Sequence, residues 1–394
     1  MSLSNSSSVL PLRLILVLAL IFALSPLAID MYLPTIPTIA GDLGVLTQDI
    51  AITVSLYILG LSLGQFIGGP ISDYIGRHPV LLFGLMLFAL ASLLLASTDS
   101  VGIFWLARCL QAVGGGMASV VVPAIIRDHT EGQATAKLFS QIMLITIIAP
   151  ALAPSIGTLV FSLGGWRMVF VVLAAYAVLV CVLARIFIAS GVGGRNDQQA
   201  LQESLWQRYR FVLSNRTAMA YLFTQGLSFA VMITFVANAS LVYIDIYGQS
   251  GSRFSLLFAA NVLTLAVGNR LNNYLLNTVM AAKILPIAIF IQFIACAGLL
   301  AVTAYAPPLW LLVPLVMLAI GSLGGVMGNS QACALQFFPQ HSGIASALMG
   351  SGQYLIGGLI SAVSTLFVSD LIWPMTVTMF ICSGLALLVV PKPE

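Results

Sequence analysis

The chain has 394 residues, of which 60% are hydrophobic and only 7% charged, with a formal net charge of +3. Soluble domains carry about 25% charged residues, so this composition excludes a water-solvated globule and points to a chain solvated mostly by lipid. The small basic excess implies no nucleic-acid partner.

Apolar stretches close to the roughly 20 residues of a spanning helix fall at 14–36, 49–71, 79–97, 101–126, 136–162, 167–189, 217–244, 254–271, 282–305, 308–334, 343–368 and 371–390. They predict an all-α membrane protein with twelve transmembrane helices. The separation at Pro307-Pro308 is the least marked.

The first span runs from Leu14 into a carboxylate, in Asp30-Met-Tyr-Leu-Pro34. About 17 residues separate Asp30 from Arg13, or about 25 Å of helix at 1.5 Å per residue. That depth lies inside a hydrocarbon layer roughly 30 Å thick. An ionised carboxylate is costly there, so Asp30 must be paired, hydrated by a cavity, or protonated part of the time. The last option describes a proton carrier. A structural Asp bonded to a neighbouring helix, or lying in the interface, is the other reading. Arg13 followed by Leu14–Ala28 imitates a signal peptide, but cleavage after Ala28 would discard this span, so no cleavable signal is expected.

Span two ends in Gly68-Gly-Pro-Ile-Ser-Asp73-Tyr-Ile-Gly76-Arg77. Gly69 and Gly76 allow tight backbone passage between packed helices. Asp73 and Arg77 can form charge-assisted bonds to neighbouring helix ends and hold that surface shut in one conformation. These four residues are the candidate gating set. In span four, Arg108 lies about nine residues, or about 13 Å, below Asp99. Arg108 and Asp30 thus share the outer half of the membrane with opposite sign, and form the candidate proton-coupling set. Gln111, a backbone carbonyl or a water are equally open partners for Arg108. The glycines Gly114–Gly116 lie inside this span without the Lys-Ser/Thr of a phosphate loop, so ATP is not the direct energy source. In span five, Pro150 and Pro154 each remove a helical hydrogen bond and bend the helix, and Gly157 permits close packing.

A polar break follows. Residues 191–216 separate a first six-span unit, 1–190, from a second, 217–394. Within the break, Gln199 to Phe211 fits an amphipathic surface helix with Leu201, Leu205 and Trp206 toward lipid headgroups. The other connections leave no room for a soluble catalytic domain. A faint repeat links the halves: the glycine-plus-four position is Asp73 after Gly69 and Asn272 after Gly268. Duplication of a six-span unit is a transporter architecture. Since Asn272 has no charge to remove, substitution there is expected to matter less than at Asp73.

Polar and aromatic residues within the spans are candidates for a substrate cavity. In the first half they are Tyr32, Tyr57, Gln65, Gln111, Gln141 and Met143; in the second, Gln225, Phe229, Phe235, Asn238, Asn261, Asn329, Gln331, Gln353 and Tyr354. A mid-membrane amide can equally glue two helices together. Met143, Met232 and Met327 are either adaptable walls or core. Cys109, Cys181, Cys296, Cys333 and Cys382 are isolated in apolar runs, without disulfide or metal spacing. His78, His129 and His341 fall at loop positions. No catalytic set, metal site or cofactor is expected.

The basic residues test the span count. With the N-terminus in the cytoplasm, Arg13, Arg77, Arg127, Lys137, Arg185, Arg195, Arg208, Arg210, Arg216, Arg270, Lys283 and Lys392 fall inside, and only Arg167 and Arg253 outside. That asymmetry obeys the positive-inside rule and puts both termini in the cytoplasm.

The residues after span two resemble the signature loop of the major facilitator superfamily, Gly-x-Leu-Ala-Asp-Arg-x-Gly-Arg-Lys, with Tyr74 and His78 in place of two basic residues. Leu106-Ala-Arg108-Cys-Leu-Gln111-Ala-Val-Gly114 is similar to its fourth-span motif, with Ala112 for a glycine. Ile148-Ala-Pro150-Ala-Leu-Ala-Pro154-Ser-Ile-Gly157 is similar to its fifth-span antiporter motif, with Ala153 and Thr158 as substitutes. Leu27-Ala-Ile-Asp30-Met-Tyr-Leu-Pro34-Thr-Ile-Pro37 resembles the first span of the bicyclomycin-resistance (Bcr/CflA) drug-efflux subfamily, and Phe229, Val242-Tyr-Ile-Asp245 and Trp373-Pro374 sit where that subfamily has similar residues. The resemblance implies two pseudo-repeated six-helix bundles around a cavity lined by spans one, two, four, five, seven, eight, ten and eleven. It implies that span five guards against ion leak. It also implies a monomeric proton-coupled antiporter in the bacterial inner membrane, exporting drugs or other small, mainly apolar compounds. A proton-coupled importer of a small nutrient shares every residue named. A membrane-embedded enzyme would need a clustered nucleophile or carboxylate set, which the sequence lacks.

Overall fold

Inside a bilayer every backbone N–H and C=O must be satisfied within the protein, which leaves a chain of this composition only helices to cross with. The computed structural model describes residues 12–129, 138, 142, 145–188, 205–305, 307–338, 342–367 and 371–392. Among them, ten helices are long and apolar enough to cross a membrane. One, Ile145–Phe187, is two helices that meet at Gly164 and Gly165. Gly165 has φ of 73°, a left-handed conformation that a side chain would oppose. The shorter apolar helix Trp373–Val389 completes twelve spans.

Spans one to six are Leu12–Leu43, Thr47–Ile75, Arg77–Ser97, Val101–Ile126, and the two arms of Ile145–Phe187 on either side of its break. Spans seven to twelve are Arg216–Ile246, Gly251–Leu275, Ala281–Thr303, Leu309–Leu335, Gly343–Leu366 and Trp373–Val389. The break before Leu309 places Pro307 and Pro308 between spans nine and ten. The repeat extends to distortions: span one breaks after Asp30, and its counterpart, span seven, ends in a π-helix at Leu241–Ile246.

Large apolar side chains such as Phe83, Leu90, Leu152, Leu263 and Ile381 stand exposed around the perimeter, where lipid replaces water. The halves meet along two seams, span two against span eleven and span five against span eight. Of the polar break between the halves, Leu205–Ser214 forms a helix. Leu201 and the rest of 189–204 lie outside the described residues. In that helix Phe211 meets Phe338 at the end of span ten, with ring centroids 5.9 Å apart.

Candidate functional site

Proline decides where span one breaks. The helix Leu12–Asp30 gives way to bends at Met31 and Tyr32 and a 3₁₀ turn, Leu33–Thr35 with Pro34 in its first positions; a second helix, Ile36–Leu43, then completes the span. Asp30 is the last residue of the first helix and is 5% exposed. Span five seals the break from behind. A methyl group built on Gly157 would overlap the Met31 carbonyl oxygen, so only glycine lets the two backbones touch there.

Arg108 of span four is fully buried beside the break. Its guanidinium lies between two rings, 4.2 Å from the Tyr32 centroid and 4.6 Å from that of Tyr57. Its Nη1 donates to the Ala28 carbonyl at 3.2 Å and to Gln111 Oε1 at 2.7 Å. Gln111 Nε2 in turn donates to Ser92 Oγ at 2.8 Å. Tyr32 is fixed by a 2.9 Å hydroxyl contact with Thr53. Among the described residues the ion pairs belong to Arg77 and Arg167, and none joins Asp30 to Arg108. Arg108 therefore meets the Asp30-bearing segment through the Ala28 backbone and the Tyr32 ring, not through the carboxylate.

Asp30 faces a cavity of about 490 Å³ lined by both halves. Phe229, Phe235, Asn261 and Tyr354 line it, as do Gln65, Met232, Gly69 and Pro150. Phe229 and Tyr354 meet edge to face at 5.3 Å, and Phe235 stacks on Phe258 at 6.5 Å. The cavity extends to the membrane face that carries Asp73 and Arg77, where Tyr209 and Gly343 line it. At the far face the halves are joined. Ser240 Oγ donates to the Leu33 carbonyl, Thr158 and Ser255 hydroxyls lie 3.2 Å apart, Ser55 donates to Ser361 at 2.8 Å, and Thr47 donates to the Asp245 carboxylate.

Other sequence candidates sit in the packing between helices. Tyr32, Tyr57 and Gln111 surround Arg108, as described. Asn238 Nδ2 donates to the Thr234 carbonyl at 2.8 Å and to Ser364 at 3.4 Å. Gln353 accepts from Gln225 Nε2 at 2.6 Å, joining spans seven and eleven. Asn329 Nδ2 donates to Asn272 Oδ1 at 2.8 Å, and Asn272 Nδ2 donates back at 3.4 Å. Met143 and Gln141 lie outside the described residues. Ser25, Ser119, Ser346, Ser351 and Phe258 line the cavity without having been singled out in the sequence. A serine in an apolar helix reads as a hydroxyl bonded to its own backbone; for Phe258, the cue was its place one turn before Asn261.

The loop after span two is organised by Arg77, which binds Asp73, Ser72 Oγ at 2.9 Å and, across to the end of span four, Asp128 at 3.5 Å. Gly76 stands between the two helices with φ of 99°. Asp73 itself is largely exposed, so Asp73→Asn leaves Arg77 its other two partners. The expected result is a few-fold slower turnover with equilibrium substrate affinity within a few-fold. Asn272 is different from what the repeat suggested, because it is buried against Asn329. Asn272→Ala strands part of that buried amide and should lower stability by about 1–3 kcal/mol. Binding, transport and thermal melting on both variants check this. A large affinity loss at Asp73, or no destabilisation at Asn272, contradicts it.

Residues 18–362 match the Major Facilitator Superfamily. The bicyclomycin resistance protein homolog of Haemophilus influenzae is 30% identical over 95% of this chain and 94% of its own length. The multidrug resistance protein MdtL of Vibrio parahaemolyticus is 28% identical over 84% of this chain and 83% of its own. The crystal structure of a D-xylose-proton symporter shares the fold, with a TM-score of 0.76 over 97% of this chain and 98% of that one at 17% identity. A twelve-span bundle pair closed at one face, open toward the other and matched along its length in this way is a transporter, not an enzyme: the chain belongs to the Major Facilitator Superfamily and resembles its bicyclomycin-resistance proteins.

Proposed function

We propose that the protein is a proton-coupled antiporter that exports drugs or other small, mainly apolar compounds across the bacterial inner membrane, with both termini in the cytoplasm. The observation that carries this reading is Asp30, a buried carboxylate at a helix break, facing a largely apolar cavity between the two bundles. On this reading the arrangement described is inward-facing, since the basic loop face is cytoplasmic by the positive-inside rule. Asp30 is the proton site. Proton and substrate exclude one another from the cavity, so each biases the same inward/outward equilibrium and exchange results.

Arg108 supports the site from behind by holding the Ala28 turn. Asp73 and Arg77 govern exchange between conformations. Pro150, Pro154 and Gly157 keep span five closed on the break, so that a proton cannot pass without substrate. A single chain contains the whole cavity and acts as a monomer. The names of the two bacterial relatives support drugs as the substrate class.

The test is a panel of toxic compounds, bicyclomycin included, given to a pump-deficient strain with and without the protein. Expression should lower accumulation of at least one compound and raise the inhibitory concentration several-fold, and a protonophore should abolish the difference. Raised accumulation would instead identify a proton-coupled importer.

A further inference from the structure

The perimeter of the second half is not smooth. Spans eleven and twelve each pack along span seven but hardly meet one another, which leaves a groove of about 650 Å³ with Leu227 of span seven on its floor. Leu359, Ile360, Val363 and Phe367 form one wall; the other runs down span twelve from Trp373 through Val377 and Ile381 to Leu385. Trp373 to Leu385 is about 18 Å of helix at 1.5 Å per residue, close to half of a hydrocarbon layer roughly 30 Å thick. The groove is therefore about one leaflet deep. It starts at the face where span twelve begins, opposite Asp73 and Arg77, and that face is periplasmic by the positive-inside rule. Its chemistry is uniform. Among the described residues no charged one lines it, and the Thr378 hydroxyl is engaged by the Pro374 carbonyl, to which it donates at 2.7 Å. The Trp373 indole is exposed at the mouth, at the depth where such rings meet headgroups. Val363, Phe367, Ile381 and Leu385 are exposed too, so the groove is continuous with the lipid-facing belt. It shares no lining residue with the central cavity. Between the two, Ser361 donates to the Ile233 carbonyl at 3.3 Å, and Gly357 lies so close to the Phe229 ring that a β-carbon would overlap it.

A compound in the central cavity lies on the other side of these contacts. The walls of the groove also offer far less than the roughly 1,000 Å² that a stable protein interface buries. A lipid tail fits: it is apolar, flexible, long enough to run one leaflet deep, and asks for no hydrogen bond. We propose that this groove is a resident lipid site, holding one acyl chain of a periplasmic-leaflet phospholipid with its headgroup beside Trp373 and its chain end near Leu385. The site recognises the chain and not the headgroup. Lipid tails are as apolar as the walls, so retention comes from van der Waals packing on three sides, where ordinary boundary lipid meets one. It does not depend on Asp30 or on the direction of transport.

The test is native mass spectrometry of the purified full-length protein after extensive washing with detergent. One phospholipid should survive the wash. Dioleoyl phosphatidylethanolamine and dioleoyl phosphatidylglycerol, added back to stripped protein, should bind within about two-fold of one another, and their dioctanoyl forms at least ten-fold more weakly. Val363→Phe and Val377→Phe fill the groove from opposite walls at exposed positions. Each should lower retention at least ten-fold while melting as a folded protein, and if one does not fold the other decides. Leu90→Phe, on the lipid-facing perimeter of span three, should leave retention unchanged. No retained lipid, retention that survives both filling exchanges, or a preference set by headgroup rather than chain overturns the proposal. A dimer that the filling exchanges dissociate gives the groove to a second copy of this chain, and a retained mass other than phospholipid gives it to a different ligand; either result overturns it as well.

Discussion

Asp30→Asn is expected to abolish uphill transport while leaving a folded, inserted protein. The carboxamide keeps the shape of the carboxylate but cannot titrate, and no ion pair among the described residues is lost with it. An imposed gradient of two pH units supplies about 2.7 kcal/mol per proton, enough to sustain a substrate gradient of about 100-fold if one proton is exchanged per molecule. In proteoliposomes carrying the variant that ratio should fall to about one. Its melting point should remain close to that of the parent protein. Gradient-driven accumulation near the parent rate would remove Asp30 from the coupling step.

Arg108→Ala should disrupt both the stability and the transport of the first bundle. It empties the space between Tyr32 and Tyr57 and leaves the Ala28 carbonyl and Gln111 Oε1 without their donor. Each orphaned buried acceptor costs about 1–3 kcal/mol, and the void adds to that. The expected outcome is a lower melting temperature together with transport near background. Arg108→Lys keeps the charge and, because both hydrogen bonds come from Nη1, can restore one of them. It cannot lie flat between two rings, so recovery should be partial. Full transport by the alanine variant at an unchanged melting point would show that Arg108 neither holds the break nor influences Asp30.

How much of this was legible in the sequence depends on which coordinate is asked about. Position along the membrane normal is one-dimensional, and hydropathy reads it well: apart from the start of span five, which was put at 136 and falls outside the described residues, most span ends lie within a few residues of where the apolar runs put them. Span one differs most, since its apolar run was read as ending at 36, whereas the helix resumes at Ile36 and runs to Leu43. Azimuth around each helix is another matter. In apolar helices surrounded by lipid, lining, lipid-facing and interhelical positions all look alike. Asn261 reaches the cavity, whereas Asn329 turns to Asn272 and Gln353 to Gln225. Nothing local distinguishes them, because an amide is equally at home against a partner amide. Asp30 was legible because a carboxylate at that depth is costly wherever it points. The sandwich around Arg108 was not, because it is assembled from three spans.

The close approach of Gly157 to the Met31 carbonyl has a consequence for how such a protein can change over generations. Every single-nucleotide exchange of a glycine codon that alters the residue adds at least a β-carbon or ends the chain, so position 157 has no neutral neighbour in sequence space. Phe258, Met232 and Ser346, by contrast, face open volume and can change size without pressing on that backbone contact. Lineages selected on new compounds should therefore diversify at the walls while position 157 stays glycine. The repertoire of molecules handled can drift quickly around a backbone contact that scarcely moves.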